Sequence, residues 1–202
     1  MQDFNLYFGL GVGHILTWEA LDHILFVTAL CLRYRFPDWK KVAIMVTAFT
    51  IGHSITLALS VFGLITVSVA IIEFLIPLTI AGTALNNLLF KAGKREKLPV
   101  IYFFALFFGM IHGLAYANLL LNLEGSEQLP VHLLAFNLGI EAAQLIVVAV
   151  ILALTFIFVD QFKIRQHWWI RILSIGILIF ALKMAFERIP ALRTHTQTAT
   201  KQ

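Results

Sequence analysis

Apolar residues arrive in six long runs separated by short polar connections. They lie near Phe4–Leu32, Trp39–Gly63, Thr66–Phe90, Leu98–Leu121, Val131–Val159 and Trp168–Arg188. At 1.5 Å per residue each run covers the ~30 Å hydrocarbon core of a bilayer as a helix. In lipid a helix also satisfies its own backbone hydrogen bonds, which an isolated strand does not. The pattern therefore predicts an all-α membrane protein with six transmembrane helices in one bundle over residues 1–190. A polar C-terminal tail over 191–202 is expected to be loose. The connections over 33–41, 91–97 and 160–166 leave no room for a separate soluble domain.

Composition agrees. The chain is 60% hydrophobic and 13% charged, with mean hydropathy +0.88. A soluble domain is about half apolar and a quarter charged, and a core of this size could not hide the excess. Disorder is excluded on the same grounds, and the single Cys31 excludes a disulfide framework.

The net charge of +4 and isoelectric point near 9.4 would raise nucleic acid as a partner in a soluble chain. Their distribution gives a different answer. Arg33, Arg35, Lys40, Lys41, Lys91, Lys94, Arg95, Lys97, Lys163, Arg165 and Arg171 fall on alternate connections, which places eleven of the fifteen Lys and Arg on one side. The connections around Gly63–Thr66 and Asn122–Pro130 carry none, and the second holds Glu124 and Glu127. Cytoplasmic loops collect Lys and Arg, so both termini are expected outside. Trp39, Trp168 and Trp169 then stand at the inner interface. The basicity reads as topology, with the lipid bilayer and not nucleic acid as partner. The first run lacks a basic start and a small-residue cleavage site and is expected to be retained. The expected place is a multi-pass one in the bacterial inner membrane.

Polar residues within the runs locate the chemistry, because an ionisable group at membrane depth usually faces a bundle interior and marks an ion or substrate path. The first run holds His14, Glu19, Asp22 and His23; the second holds His53 among Thr50, Ser54 and Thr56. The third has Glu73, Asn86 and Asn87, the fourth His112, and the fifth Asn137, Glu141 and Gln144. Glu19, Asp22 and His23 share one helical stripe, as do Asn137, Glu141 and Gln144. Counting from the basic side puts His23 roughly 15 Å deep, His53 roughly 18 Å and His112 roughly 22 Å. Imidazoles at one level, with carboxylates nearby and no thiol among them, suit nickel, cobalt or zinc rather than magnesium or copper(I). His132, His167 and His195 read as ordinary. Gly109 and Gly113 form a small-xxx-small pair that implies close helix packing, and Pro77 is expected to kink its helix. The eighteen Phe are expected mostly as lipid-facing bulk.

Ala48-Phe49-Thr50-Ile51-Gly52 also matches Ala135-Phe136-Asn137-Leu138-Gly139. By the topology above these segments run in opposite directions. The match raises a 3+3 inverted repeat, a common transporter plan with its site near the midplane. It sets Ser54 opposite Glu141 and Leu57 opposite Gln144.

Several segments together resemble the HupE/UreJ family of membrane proteins. They are Gly13-His14, Asp22-His23-Ile24-Leu25-Phe26, Phe49-Thr50-Ile51-Gly52-His53-Ser54-Ile55-Thr56-Leu57, Phe108-Gly109-Met110-Ile111-His112-Gly113, and Phe136 through Gln144. The resemblance implies hydrogenase and urease accessory functions and a nickel or cobalt permease. Asp22 and His23 then correspond to the family's DH pair, and His53, His112 and Glu141 to its other polar positions. One departure concerns His14. Many members carry a His five residues before the DH pair, whereas seven residues intervene here. Two extra residues turn a helix by about 200°, so His14 points away unless the helix breaks near Gly11 and Gly13.

The expected function is a permease for a divalent transition metal held by Asp22, His23, His53, His112 and Glu141. His14, Glu19, Thr50, Ser54, Glu73, Asn137 and Gln144 would line the path or support the ligands. Two rivals stand beside it. One is an intramembrane zinc-dependent hydrolase with three His ligands and Asp22 or Glu141 as general base. The other is a non-transporting sensor or accessory partner of a larger complex. A second copy of the chain or an accessory protein is open as a partner.

Overall fold

A computed structural model describes residues 2–89, 98–121 and 128–199, with side chains over 3–18, 20–89, 101–115 and 128–191. Among the described residues every regular element is helical. The seven α-helices are α1 (Gln2–Leu16), α2 (Leu21–Cys31), α3 (Trp39–Val61), α4 (Val69–Leu89), α5 (Leu98–Leu121), α6 (Leu129–Thr155) and α7 (Gln166–Ala199). A π-helical turn, Phe156–Gln161, extends α6.

Among the described residues, four stretches are long and apolar enough to cross a membrane: Phe36–Val61, Val69–Leu89, Leu129–Gln161 and Gln166–Ala191. The α1–α2 pair makes a fifth if it counts as one span. In α5 the apolar stretch with described side chains, Ile101–Ala115, is shorter. The basic connection over 91–97 and the acidic one with Glu124 and Glu127 lie outside the described residues.

The first apolar run is two helices rather than one. Thr17 takes an extended conformation (φ −90°, ψ 157°), Trp18–Ala20 form a single 3-10 turn, and α2 leaves at 71° to α1. The break falls between His14 and Asp22, several residues past Gly11 and Gly13, where a break was named as the condition for His14 to point inward. At the other end α7 runs through Pro190 to Ala199, so the tail expected to be loose continues the helix.

Glycines decide which helices meet. A Cβ on Gly109 would stand 2.0 Å from the Phe49 carbonyl oxygen, and one on Gly113 2.2 Å from that of His53. Gly52 is as close to the Leu106 carbonyl, at 2.1 Å. Residue numbers rise together along this contact, so α3 and α5 run parallel. Helices α1 and α6 repeat the arrangement, with Gly11 2.0 Å from the Phe136 carbonyl and Gly139 2.2 Å from that of Phe8. No side chain larger than hydrogen fits at such contacts, which let backbones approach and gain dispersion where lipid offers no hydrophobic drive. The third pair, α4 with α7, is antiparallel. Arg188 near the end of α7 donates to the Glu73 carbonyl near the start of α4 at 2.7 Å.

Two basic connections lie side by side. Arg35 reaches Asp160 (3.3 Å) and Gln166 (3.2 Å), and Gln166 in turn donates to the Arg33 carbonyl at 3.2 Å. The aromatic residues divide. Phe103, Phe107 and Phe186 face outward, but Phe26, Phe49 and Phe136 are among the most deeply buried side chains. The expectation of lipid-facing bulk fails for these three, and their burial bears on the site.

Candidate metal centre

The break at Thr17 brings His14 back toward the bundle interior. Its ring centroid lies 4.9 Å from that of His23 and 6.3 Å from that of His53. One nitrogen from each of His14, His23 and His53 lies within 4.8 Å of the other two. Three imidazoles around one metal with bonds near 2.1 Å would hold their nitrogens roughly 3.4 Å apart. The cluster needs a modest contraction to close on an ion.

Three imidazoles, those of His23, His53 and His112, are oriented from behind. The Asp22 carboxylate accepts both the backbone N–H and the ring Nδ1–H of His23, each at 2.8 Å. His53 turns Nδ1 to the Asn137 side-chain oxygen at 3.4 Å, and Asn137 is itself fixed by donating to the Leu133 carbonyl at 2.8 Å. His112 donates Nδ1–H to the Phe108 carbonyl at 2.8 Å. All three acceptors are oxygens, so Nδ1 holds the proton and Nε2 carries the lone pair. The Nε2 atoms of His23, His53 and His112 are buried and have no hydrogen-bond partner among the described residues. A buried acceptor without a partner is costly to a fold. A backing oxygen that sets the tautomer of a bare Nε2 is also how proteins prepare histidine for a metal.

The sequence-derived ligands separate into groups. His23 and His53 come together, and His14, expected at the path or support level, joins them. His112 stands beside the cluster, its ring 5.0 Å from His23, without entering the three-nitrogen group. Asp22 lies behind His23. Glu141 accepts a hydrogen bond from Thr47 at 2.6 Å and Gln144 one from Thr50 at 2.9 Å, so their stripe ties α6 to α3. Ser54 bonds back to the Thr50 carbonyl at 2.7 Å. Asn87 donates to the Ala29 carbonyl at 2.8 Å, and the Asn86 carbonyl accepts from Arg33 at 2.5 Å. The Glu19 side chain lies outside the described residues. His132 stacks on Tyr7 at 4.1 Å, away from the cluster.

A cavity of about 470 Å³ leads to the histidines, lined among others by His14, Thr17, Asp22, His23, Glu73, His112 and Arg188. Sequence reasoning overlooked Arg188 here, since a basic residue near a helix end reads by default as an interface anchor. Thr47 was overlooked too, as one threonine among many.

Membrane-length apolar helices around a buried, pre-oriented histidine cluster define a multi-pass helical membrane protein with donors of the transition-metal type. The chain belongs to the HupE/UreJ family: the family model described as HupE / UreJ protein matches residues 1–188. No curated protein and no solved structure matches it.

Proposed function

We propose that this chain is a permease for a divalent transition metal, nickel before cobalt, which rests in passage on His14, His23 and His53. The observation that carries the reading is the set of three imidazole nitrogens within 4.8 Å of one another beside a cavity. Neutral imidazole suits nickel and cobalt. A carrier must also release its cargo, and a site that has to contract to grip an ion favours release over storage. His112, bare at Nε2 and at the same cavity, is placed to hand the ion on. The family's association with hydrogenase and urease accessory functions puts nickel first.

Six spans with both termini outside go with this reading. The two neighbouring basic connections support one cytoplasmic face. An inverted repeat gains support from the glycine contacts. Phe49 faces Gly109 as Phe136 faces Gly11, and Gly52 touches Leu106 as Gly139 touches Phe8. In that register His112 falls on His14, each three residues past its glycine.

The hydrolase alternative draws no support from the site. Asp22 is occupied in orienting His23, and Glu141 bonds Thr47 on the α3–α6 contact. Uptake of nickel or cobalt into proteoliposomes tests the permease. Substitution of His23 or His53 by Ala should abolish saturable uptake, and uptake that survives both substitutions defeats the proposal.

A further inference from the structure

The histidine cluster lies between two cavities. The one already described opens where α4 begins and α7 nears its end. The second, of about 590 Å³, lies at the basic end and is lined among others by Ala29, Arg33, Met45, Thr83, Asn87 and Phe108. Helices α2 and α5 line both cavities, the change taking one to two turns, and α3 runs from the second cavity to the histidines. On α2, His23 lines the first cavity and Ala29 the second, with Phe26 midway. On α5, His112 lines the first and Phe108, one turn back, the second. On α3, Met45 lines the second, His53 belongs to the cluster, and Phe49 stands midway.

The rings at these midpoints fill the space. Phe26 is wholly buried and Phe49 nearly so. Phe26 lies 5.0 Å from Phe49, 5.6 Å from Phe108 and 5.4 Å from His112 by ring centroids. A hydrated divalent ion cannot cross such a plug, because the rings offer nothing to replace the water that it would shed. Beyond them, Thr83 and Asn87 supply oxygens that an arriving ion could use.

We infer that Phe26, backed by Phe49 and Phe108, is the gate between two vestibules of a single ion path, shut here on the basic side of the histidines. The inference rests on the transport reading, and it names which side chain must move for the ion to leave the histidines in that direction. A phenylalanine ring swings about two side-chain torsions, and its movement here would join the cavities without unwinding a helix.

Cysteine accessibility tests the gate independently of transport. In a Cys31→Ser background, Thr17→Cys reports on the first cavity and Thr83→Cys on the second. A membrane-impermeant cationic thiol reagent, applied to each side of the membrane in turn, should label Thr17→Cys from one side and Thr83→Cys from the other only. Adding Phe26→Ala should expose Thr83→Cys to the first side, raising its labelling rate at least tenfold. Labelling of Thr83→Cys that ignores Phe26 overturns the gate. Should Phe26→Ala not fold, Phe26→Trp serves: nickel uptake should slow at least tenfold with equilibrium nickel binding unchanged, and unslowed uptake likewise overturns it. If labelling switches with Phe26 but wild-type vesicles take up no nickel, the gate stands and the cargo is wrong.

Discussion

The carboxylate of Asp22 receives two hydrogen bonds from its neighbour His23, one from the backbone N–H and one from ring Nδ1–H, both at 2.8 Å. Adjacent residues on a helix point about 100° apart, so the pair meets only because both groups belong to the first turn of α2. The arrangement fixes the ring with Nδ1 turned to the carboxylate and Nε2 bare. Removing such a partner typically weakens metal binding by about 10–100-fold. Asp22→Asn should therefore lower nickel affinity by roughly that factor while the protein stays folded. Isothermal titration of detergent-purified protein reads the affinity, and an unchanged value would detach Asp22 from the site.

His14 distinguishes the folded site from its appearance in sequence. If the bend at Thr17 delivers it to the cluster, His14→Ala should cost as much nickel affinity as His53→Ala, about tenfold or more, since loss of a direct ligand should at least match loss of a backing group. A straight first helix would make the same substitution silent. The two substitutions should be compared side by side, because a general loss of fold would show in both melting curves.

The glycine contacts predict opposite outcomes for one chemical change. Gly109→Ala drives a methyl group into the Phe49 carbonyl at 2.0 Å and must separate α3 from α5. Overpacking of this sort costs ~1–3 kcal/mol or more. Gly176, within α7, has nothing within 4 Å of an added Cβ. Gly176→Ala should be neutral or stabilise by up to about 1 kcal/mol through helix propensity. Thermal unfolding of the two variants in detergent, followed by size-exclusion chromatography, separates them.

Arg188 brings a positive charge to the cavity through which the cation would reach the histidines, held there by the Glu73 carbonyl. Fixed charge in a low-dielectric cleft changes the local concentration of ions. Arg188→Gln keeps a hydrogen-bond donor and removes the charge, so nickel should bind severalfold more tightly and its binding should depend less on salt. Weaker binding would mean instead that Arg188 holds α4 and α7 in the shape the site requires.

The helices were legible because each apolar run has the length that a bilayer demands, and each helix among the described residues overlaps one of those runs, with α7 continuing past its run to Ala199. The first run misled because nothing in Ile15-Leu16-Thr17-Trp18 breaks the apolar pattern, and Thr17 begins the 3-10 turn without a side-chain cap. Depth counting brought His23 and His53 together correctly, since it depends only on rise per residue. It did not separate His112, one ring away, from the group of three, because depth says nothing of rotation about a helix. Glu141 shows a related limit. Its helical stripe was read correctly, but the partner it faces is Thr47, and two polar stripes on neighbouring helices join each other as readily as they meet an ion.

The parallel seams have a mechanical consequence. Gly11 and Gly139 weld α1 to α6, while Gly52, Gly109 and Gly113 weld α3 to α5. His14 therefore rides on one rigid pair and His53 on the other, with His23 on α2 between them. An ion held by all three would work as a rivet through two plates, and its departure would leave them free to slide.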